Sequence, residues 1–462
     1  MGIFDEEILR EIYNEKEIEK KLYTLFPEVY ACHQEFQDVC INFHRNSKNR
    51  KADRIEHEKQ MREIRDKKNA KVQTAISELS RQIKSDLENG QWKWDFQKSI
   101  GLLDTGEKKY YKLAKTSETF FAASSVAIDL KKAFDIQLKT RNQIMRDIFA
   151  LITTDAVKAN PSGTILVRTD IKTFSENIDY EVFLQIMRKN QRLSAETKIL
   201  LEHYAEQFYE YSGRNHGIPR GCVVTTAVQD VLSQQVEDAI KAKIDGVLLC
   251  EHYGDDYFIL LKGDCFSSSQ EAFNQVGDIF SSYHLPFNKP KTKHQRFSSS
   301  LEFEFLGYKV QVKGDEILVD LREDYFQGVI YKLVSTFRRY RKYKANPISA
   351  VIMENELKII MGNVTVMNKV NRQWVHKIGI VFNCPFLSKP SKMLEKIDLI
   401  FQILLFFSEV PRTYKKRLRS LSIHKSYFEH KMSQMTERRF NCYFKNHPIL
   451  TLSGSRVMKS MT

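Results

Sequence analysis

Long apolar runs are missing from this chain. The longest, Leu399–Phe407, is interrupted by Gln402 and falls well short of the roughly 20 apolar residues needed to span a bilayer. It reads instead as a buried helix, and no membrane partner is expected. The opening Met1-Gly-Ile-Phe-Asp-Glu-Glu turns acidic at once and has no apolar h-region, so a cytoplasmic location is expected. Paired Cys-x-x-Cys motifs are absent among the seven cysteines, Cys32, Cys40, Cys222, Cys250, Cys265, Cys384 and Cys442. Their odd number and wide scatter fit reduced thiols and exclude a simple disulfide framework. Cys32, Cys40 and His44 invite a zinc reading, but without a paired motif they are read as packing residues on a helix. Internal repeats and low-complexity tracts are lacking too.

What the chain has is size and positive charge. Its 462 residues allow two or three domains with a well-buried core. The 42% hydrophobic and 28% charged residues are those of a globular protein, and the net charge of +14 favours a polyanionic partner, nucleic acid first.

Residues 5–90 are rich in helix formers and mixed charge. Ile55, Met61, Ile64, Val72, Ile76, Leu79, Ile83 and Leu87 recur at helical spacing until Asn89-Gly90, predicting a helical module over 1–95. Its charged face, around Arg45–Lys71, reads as solvated or as a contact for nucleic acid or a second subunit, so a homo-oligomer is one expectation. A helical pattern returns over Ser117–Ile152, and Asn160-Pro-Ser-Gly163 is a turn. Strands and helices then alternate to about Val319, and the stretch 323–462 reads as helical, basic and aromatic.

Tyr253-Gly-Asp-Asp256 lies between the apolar runs Val247–Cys250 and Tyr257–Leu261. Gly254-Asp255 is turn chemistry, so the pair of carboxylates stands at the tip of a β-hairpin. Adjacent carboxylates repel unless a cation neutralises them, as two Mg²⁺ ions do in phosphoryl transfer. Thr164–Asp170 reads as a buried strand ending in a further carboxylate, followed by a helix capped by Asp179. Between these, Gly217-Ile-Pro-Arg-Gly221 is a tight loop that lets backbone approach a ligand, with Arg220 available to a phosphate. Each motif alone also has a plain reading as an exposed turn, a capped strand end or an ordinary loop.

Taken in order, strand-Asp170, Gly-Ile-Pro-Arg-Gly and Tyr-Gly-Asp-Asp resemble motifs A, B and C of a reverse-transcriptase palm. Asn288-Lys-Pro-Lys291-Thr292-Lys resembles motif D, and Phe305-Leu306-Gly307-Tyr308 the primer grip, motif E. Arg168–Phe174, the loop and Gly362-Asn363 particularly resemble the prokaryotic, unknown-group reverse transcriptases of antiphage defence. The resemblance implies an α+β, right-hand polymerase: a helical N-terminal extension (1–95), fingers (96–163), a palm with an antiparallel sheet (164–322) and a helical thumb with the C-terminal region (323–462). It implies RNA-directed DNA synthesis with an RNA template, in some relatives a dedicated noncoding RNA, a DNA product and nucleoside triphosphates as substrates.

Residue by residue, the resemblance makes Asp170, Asp255 and Asp256 catalytic. With the Ile171 carbonyl they would hold two Mg²⁺ ions, Mn²⁺ being a substitute. Phe174, Ser175, Arg220 and Lys291 fall at the nucleotide, with Lys289 and Lys293 rivals to Lys291. Arg141 is the preferred triphosphate contact from the fingers, and Lys131 and Lys132 are alternatives. Gly307 belongs to the primer grip. Beyond it, Phe337–Lys344 interleaves Arg338, Arg339, Arg341 and Lys342 with aromatic rings, a pattern suited to tracking a nucleic-acid backbone. Arg412–Arg419 is a second basic stretch of this kind.

The sequence departs from the family at three places. Ser175, five residues beyond Asp170, stands where a Tyr or Phe ordinarily excludes a 2′-hydroxyl. Gly254 stands where Ala, Val or Met is usual, and Tyr-Gly-Asp-Asp is more typical of RNA-synthesising polymerases. Thr225-Thr226 replaces the small Ser-containing step after the loop. Template-independent or protein-primed DNA synthesis, RNA synthesis with relaxed sugar selection, and an inactive RNA-binding scaffold stand as alternatives.

Overall fold

The computed structural model describes residues 2–20, 22–46, 51–103, 106–154, 157, 163–297, 300–313, 316–367 and 374–436. The chain forms two compact units, each assembled from separate stretches of sequence. The first joins Met1–Leu138 to Leu166–Gln295, the second Lys139–Ile165 to Arg296–Thr462.

The first unit opens with helices Glu6–Lys20, Pro27–Asn46 and Lys51–Glu88. The last two form an antiparallel pair. Glu28 meets Lys71, Glu35 meets Lys67, and the Cys40 thiol lies 3.8 Å from the Met61 sulfur. Ile64, Val72, Ile76, Leu79 and Ile83 form the buried stripe that helical spacing anticipates, whereas Ile55, nearer the hairpin tip, stays exposed. Ser80 Oγ donates to the Phe4 carbonyl at 2.6 Å and Lys84 pairs with Asp5, tying the chain's start to the long helix.

An antiparallel hairpin follows, β1 (Phe96–Leu103) and β2 (Gly106–Leu113). The helical pattern over 117–152 resolves into two helices, Ser117–Ala133 and Arg141–Ile152, separated at Asp135, whose φ of +53° interrupts the helical backbone. Helix Arg141–Ile152 belongs to the second unit and starts from a Thr140–Gln143 capping box.

At the centre of the first unit is a four-stranded sheet made of β3 (Thr164–Asp170), β4 (Val247–Tyr253), β5 (Asp256–Lys262) and β6 (Lys293–Arg296), in the order β4-β5-β3-β6. β3 is buried at every position but Arg168, with Ile165, Leu166 and Val167 at its middle, and Tyr257 to Leu261 of β5 are all buried. Strands covered on both faces need such continuous runs. Helix Val223–Lys243 packs against β4 and helix Ser117–Ala133, and its Val224, Ala227, Val228, Val231, Val236 and Ile240 are buried. Asp179 caps helix Tyr180–Lys189 as its sequence position implies, accepting from the Glu181 and Val182 amides.

The second unit contains the meander β7 (Ser300–Phe305), β8 (Tyr308–Lys313) and β9 (Glu316–Leu321), then helices Glu323–Tyr343, Pro347–Met361 and Lys392–Phe407. Two expectations change here. The stretch beyond 323 is not helical throughout: β10 (Asn363–Met367) pairs antiparallel with β11 (Trp374–Ile378) and parallel with β12 (Met432–Thr436). The β-branched run Val364-Thr365-Val366 favours a strand, but one of its partners lies some 70 residues away, beyond any local pattern. Leu399–Phe407 is not a buried helix either. Leu394, Ile397, Phe401 and Leu405 face the core, while Leu399, Ile403, Phe406 and Phe407 are exposed. No described helix is long and apolar enough to cross a membrane.

Candidate active site

The end of β3 is clamped from both sides by backbone. The Ile171 amide donates to the Asp255 carbonyl at 3.0 Å, and the Asn288 amide donates to the Asp170 carbonyl at 2.9 Å. Lys172 N–H donates to the Pro286 carbonyl at 3.0 Å, and Ile171 bridges Phe287. These bonds bring Asp170 to the hairpin tip, where Tyr253 pairs with Asp256 around the two-residue turn Gly254-Asp255. Gly254 takes φ of +63°, the left-handed conformation such turns require. Ser233 Oγ, on helix Val223–Lys243, donates to the Gly254 carbonyl at 3.2 Å and steadies the turn from below.

Asp170 is buried, with one oxygen satisfied and one not. Oδ2 accepts from Lys291 Nζ at 2.7 Å and Asn288 Nδ2 at 3.2 Å. Oδ1 is buried with no hydrogen-bond partner, a costly state for a carboxylate oxygen unless a further cation or donor completes it. Burial pushes the Asp256 carboxyl up, and the charges of Asp255 and Asp170 push the same way against Arg168 and Lys291. Asp170 in turn holds the Lys291 ammonium above the ordinary lysine range. Among the described residues no three acidic, His or Cys side chains close on one point as a finished metal cage. The donor chemistry nevertheless fits a hard divalent cation: all-oxygen ligands, an orphaned buried oxygen, and an excess of negative charge that Lys291 only partly offsets.

Asp170 and Asp255 line a groove of about 500 Å³, together with Ile171, Phe174, Ser175, Arg220 and Lys291. Ser175 is buried and its Oγ accepts from Gln229 Nε2 at 3.1 Å. The Gly217–Gly221 loop lies directly on this segment, with the Ile218 amide donating to the Ser175 carbonyl at 2.8 Å. Gly217 has φ of +73°, and a Cβ there would stand 2.6 Å from the Glu176 carbonyl oxygen, so only glycine fits unstrained. Thr225 Oγ1 donates to the Pro219 carbonyl at 2.5 Å, and Thr226 Oγ1 to the Cys222 carbonyl at 3.2 Å. The threonine pair therefore pins the loop to the helix that follows it, leaving Arg220 exposed at the groove's rim.

Six lining residues had no assigned part in the sequence reading: Thr173, Glu176, Asn288, Gln229, Asp230 and Ser233. The last three lie at i, i+1 and i+4 of one helix, a spacing visible in the sequence, but which face meets the groove is a tertiary matter. Asp230 pairs with Lys131 at 3.0 Å. Burial pushes its carboxyl up, with Lys131 opposing. Lys131 thus has a carboxylate partner of its own.

Other residues expected at the site have partners of their own within the second unit. Arg141 lies in the second unit, its guanidinium 5.4 Å from the Tyr308 ring centre and 6.0 Å from that of Tyr325, with Nη2 donating to Cys384 Sγ at 3.3 Å. Gly307, at φ of +81°, makes room for it, since a Cβ there would come within 2.6 Å of that same nitrogen. Arg141 and Gly307 are a packing pair here, because the flat cation stacks on rings. Arg339 is mostly buried and donates to Glu356 at 2.8 Å, so it is not a surface cation. Phe337 and Tyr340 are buried, which withdraws two of the three interleaved rings; Tyr343 stays half-buried with Lys342 Nζ 5.4 Å from its ring centre, and Arg338, Arg341 and Lys342 stay exposed.

No protein-family model matches the chain, and no curated protein matches it. Among solved structures, it is similar to telomerase from Candida albicans, solved with a fragment of telomeric RNA, with a TM-score of 0.36, 10% identity, and coverage of 79% of this chain and 66% of that one. Apo telomerase from Candida tropicalis gives 0.40, 12%, 80% and 65%. A C-terminally truncated form of it gives 0.36, 13%, 57% and 70%. The chain thus spans about two thirds of the length of these telomerases. At such scores the site's own geometry has to carry any reading of function.

Proposed function

We propose that the chain is a template-directed nucleotidyltransferase, an RNA-directed DNA polymerase that extends a primer from nucleoside triphosphates. The observation that carries this reading is the junction of β3 with the β4–β5 turn, which gathers Asp170, Asp255 and Asp256 beside Lys291 and leaves Asp170 Oδ1 unsatisfied. Asp170, Asp255, Asp256 and the Ile171 carbonyl would hold two Mg²⁺ ions, with Mn²⁺ a substitute. When bound, such ions acidify the primer hydroxyl and neutralise charge on the departing pyrophosphate.

The remaining work falls to side chains. Lys291 stays protonated well past neutrality beside Asp170, which suits it to meet the leaving pyrophosphate. Arg220, on a loop pinned by Thr225, would hold triphosphate charge. Phe174 and Ser175 face the sugar. In this reading residues 96–163 are fingers, 164–322 palm and 323–462 thumb, and the resemblance of the motifs extends the proposal to antiviral defence on a dedicated noncoding RNA template.

Ser175 favours a second reading, RNA synthesis or relaxed sugar choice. Its small side chain, with Oγ already engaged by Gln229, places no bulk against a 2′-hydroxyl. Primer extension on an RNA template with separate dNTP and NTP pools tests both readings. Extension with either pool, lost by at least about a hundredfold in Asp255→Ala, is expected. Extension that persists in Asp255→Ala would refute the proposal.

A further inference from the structure

A second groove, of about 730 Å³, lies in the second unit. One wall is helix Arg412–Leu418 with its cap residue Arg419, which carries Arg412, Lys415, Lys416 and Arg419. Their i, i+3, i+4, i+7 spacing aligns four cations on one stripe. The other wall is the end of helix Lys392–Phe407, where Phe406 lines the groove at 69% exposure; Phe407, next to it but outside the lining, is 79% exposed. Those two rings meet edge to face at 5.1 Å and 87°. Lys415 Nζ donates to the Phe406 carbonyl at 2.8 Å and holds the walls together.

Among the described residues no carboxylate lines this groove. The acids nearest in sequence and contact are engaged: Glu409 pairs with Lys344, and Glu354 with Arg417 and Lys358. Four cations cannot be covered by an apolar partner without a large desolvation cost. The segment beyond 436 is itself basic, with Arg438, Arg439, Lys445, Arg456 and Lys459 against Glu437, so charge disfavours it as occupant. A second copy of a chain carrying +14 meets the same repulsion.

We infer that this groove binds a single-stranded polynucleotide. Phosphates lie along the stripe of cations, and an unpaired base stacks on Phe406, the ring that lines the groove. A duplex fits less well, because its base faces are already stacked. The inference goes beyond nucleotidyl transfer and does not depend on it.

The test is fluorescence anisotropy of the full chain with unstructured RNA and DNA oligomers of about 16 nucleotides. The triple variant Arg412→Gln, Lys416→Gln, Arg419→Gln changes only exposed side chains, so the fold should stand. It should weaken binding and reduce the slope of log K against log salt by about 2, at roughly 0.7 for each lost phosphate contact. Phe406→Ala should weaken binding about fivefold or more and leave that slope unchanged. The triple variant should show the same loss of slope in an Asp255→Asn background, which separates this groove from the catalytic proposal. An unchanged slope in the triple variant would overturn the inference, as would full affinity in Phe406→Ala. So would polyglutamate of matched charge displacing the oligomers as well as unlabelled RNA does, or duplex bound more tightly than single strand.

Discussion

Gly217→Ala and Gly221→Ala are both single-methyl changes on the loop beside Ser175, and the structure assigns them different costs. Gly217 has φ of +73° and Gly221 φ of +86°, so each alanine incurs the left-handed penalty of about 1–2 kcal/mol. At Gly221 nothing lies within 4 Å of the added methyl, and the penalty ends there. At Gly217 the methyl would meet the Glu176 oxygen at 2.6 Å, and its carbon and Cα at 2.9 Å. Backbone cannot swing aside as a side-chain tip can, so an overpacking cost of about 1–3 kcal/mol is added. Gly217→Ala should therefore lose about 2–5 kcal/mol. The displacement has to pass into Ser175, whose carbonyl accepts the Ile218 amide. Denaturant unfolding of the full chain gives the stability difference. Nucleotide KM in primer extension, raised in Gly217→Ala far more than in Gly221→Ala, reads the displacement at the site. Equal losses in the two variants would refute the reasoning.

Three further outcomes are expected. Ser175→Phe places a ring where a buried hydroxyl accepts from Gln229, so the ratio of dNTP to NTP incorporation should rise by about tenfold or more; an unchanged ratio would show that Ser175 does not face the sugar. Burial pushes the Glu237 carboxyl up, but hydrogen bonds from His252 and Lys241 prevail and hold it below the ordinary glutamate range. A depressed carboxylate stabilises above its unfolded pKa and loses that contribution as pH falls through the folded value. The melting-temperature deficit of Glu237→Gln should thus be full at about pH 7 and shrink below about pH 4, in a calorimetric pH series where a constant deficit would contradict the assignment. Arg339→Ala strands Glu356 in the core and should cost about 3 kcal/mol, whereas Arg338→Ala and Arg341→Ala should stay within about 0.5 kcal/mol; denaturant midpoints decide, and equal losses would mean that the helix faces are misassigned.

Where signals are local, the sequence was legible. The β3 run, the Asp179 cap, the apolar hairpin strands around Gly254-Asp255 and the stripe from Ile64 to Ile83 all appear at the expected residues, because side-chain period and turn chemistry act over a few positions. The groove's second layer was not legible. Gln229, Asp230 and Ser233 look like any polar positions of a helix until the helix is docked. The basic stretch 337–344 was misread in part, since Arg339, Phe337 and Tyr340 turn inward while Arg338, Arg341, Lys342 and Lys344 turn out.

By itself the sequence determined the strand that ends in Asp170, the turn that exposes Asp255, the glycine that lets the 217–221 loop lie against its neighbour, and the large positive charge. Each follows from covalent geometry and short-range preference. Only the tertiary structure decided that β5 lies beside β3, so that the Ile171 amide reaches Asp255 and one oxygen of Asp170 is buried unsatisfied. It alone decided that Arg141 packs on Tyr308, that β10 finds partners at 374–378 and 432–436, and that Phe406 and Phe407 face solvent beside four cations. Burial and strand pairing are set by residues distant in sequence, and no local pattern contains them.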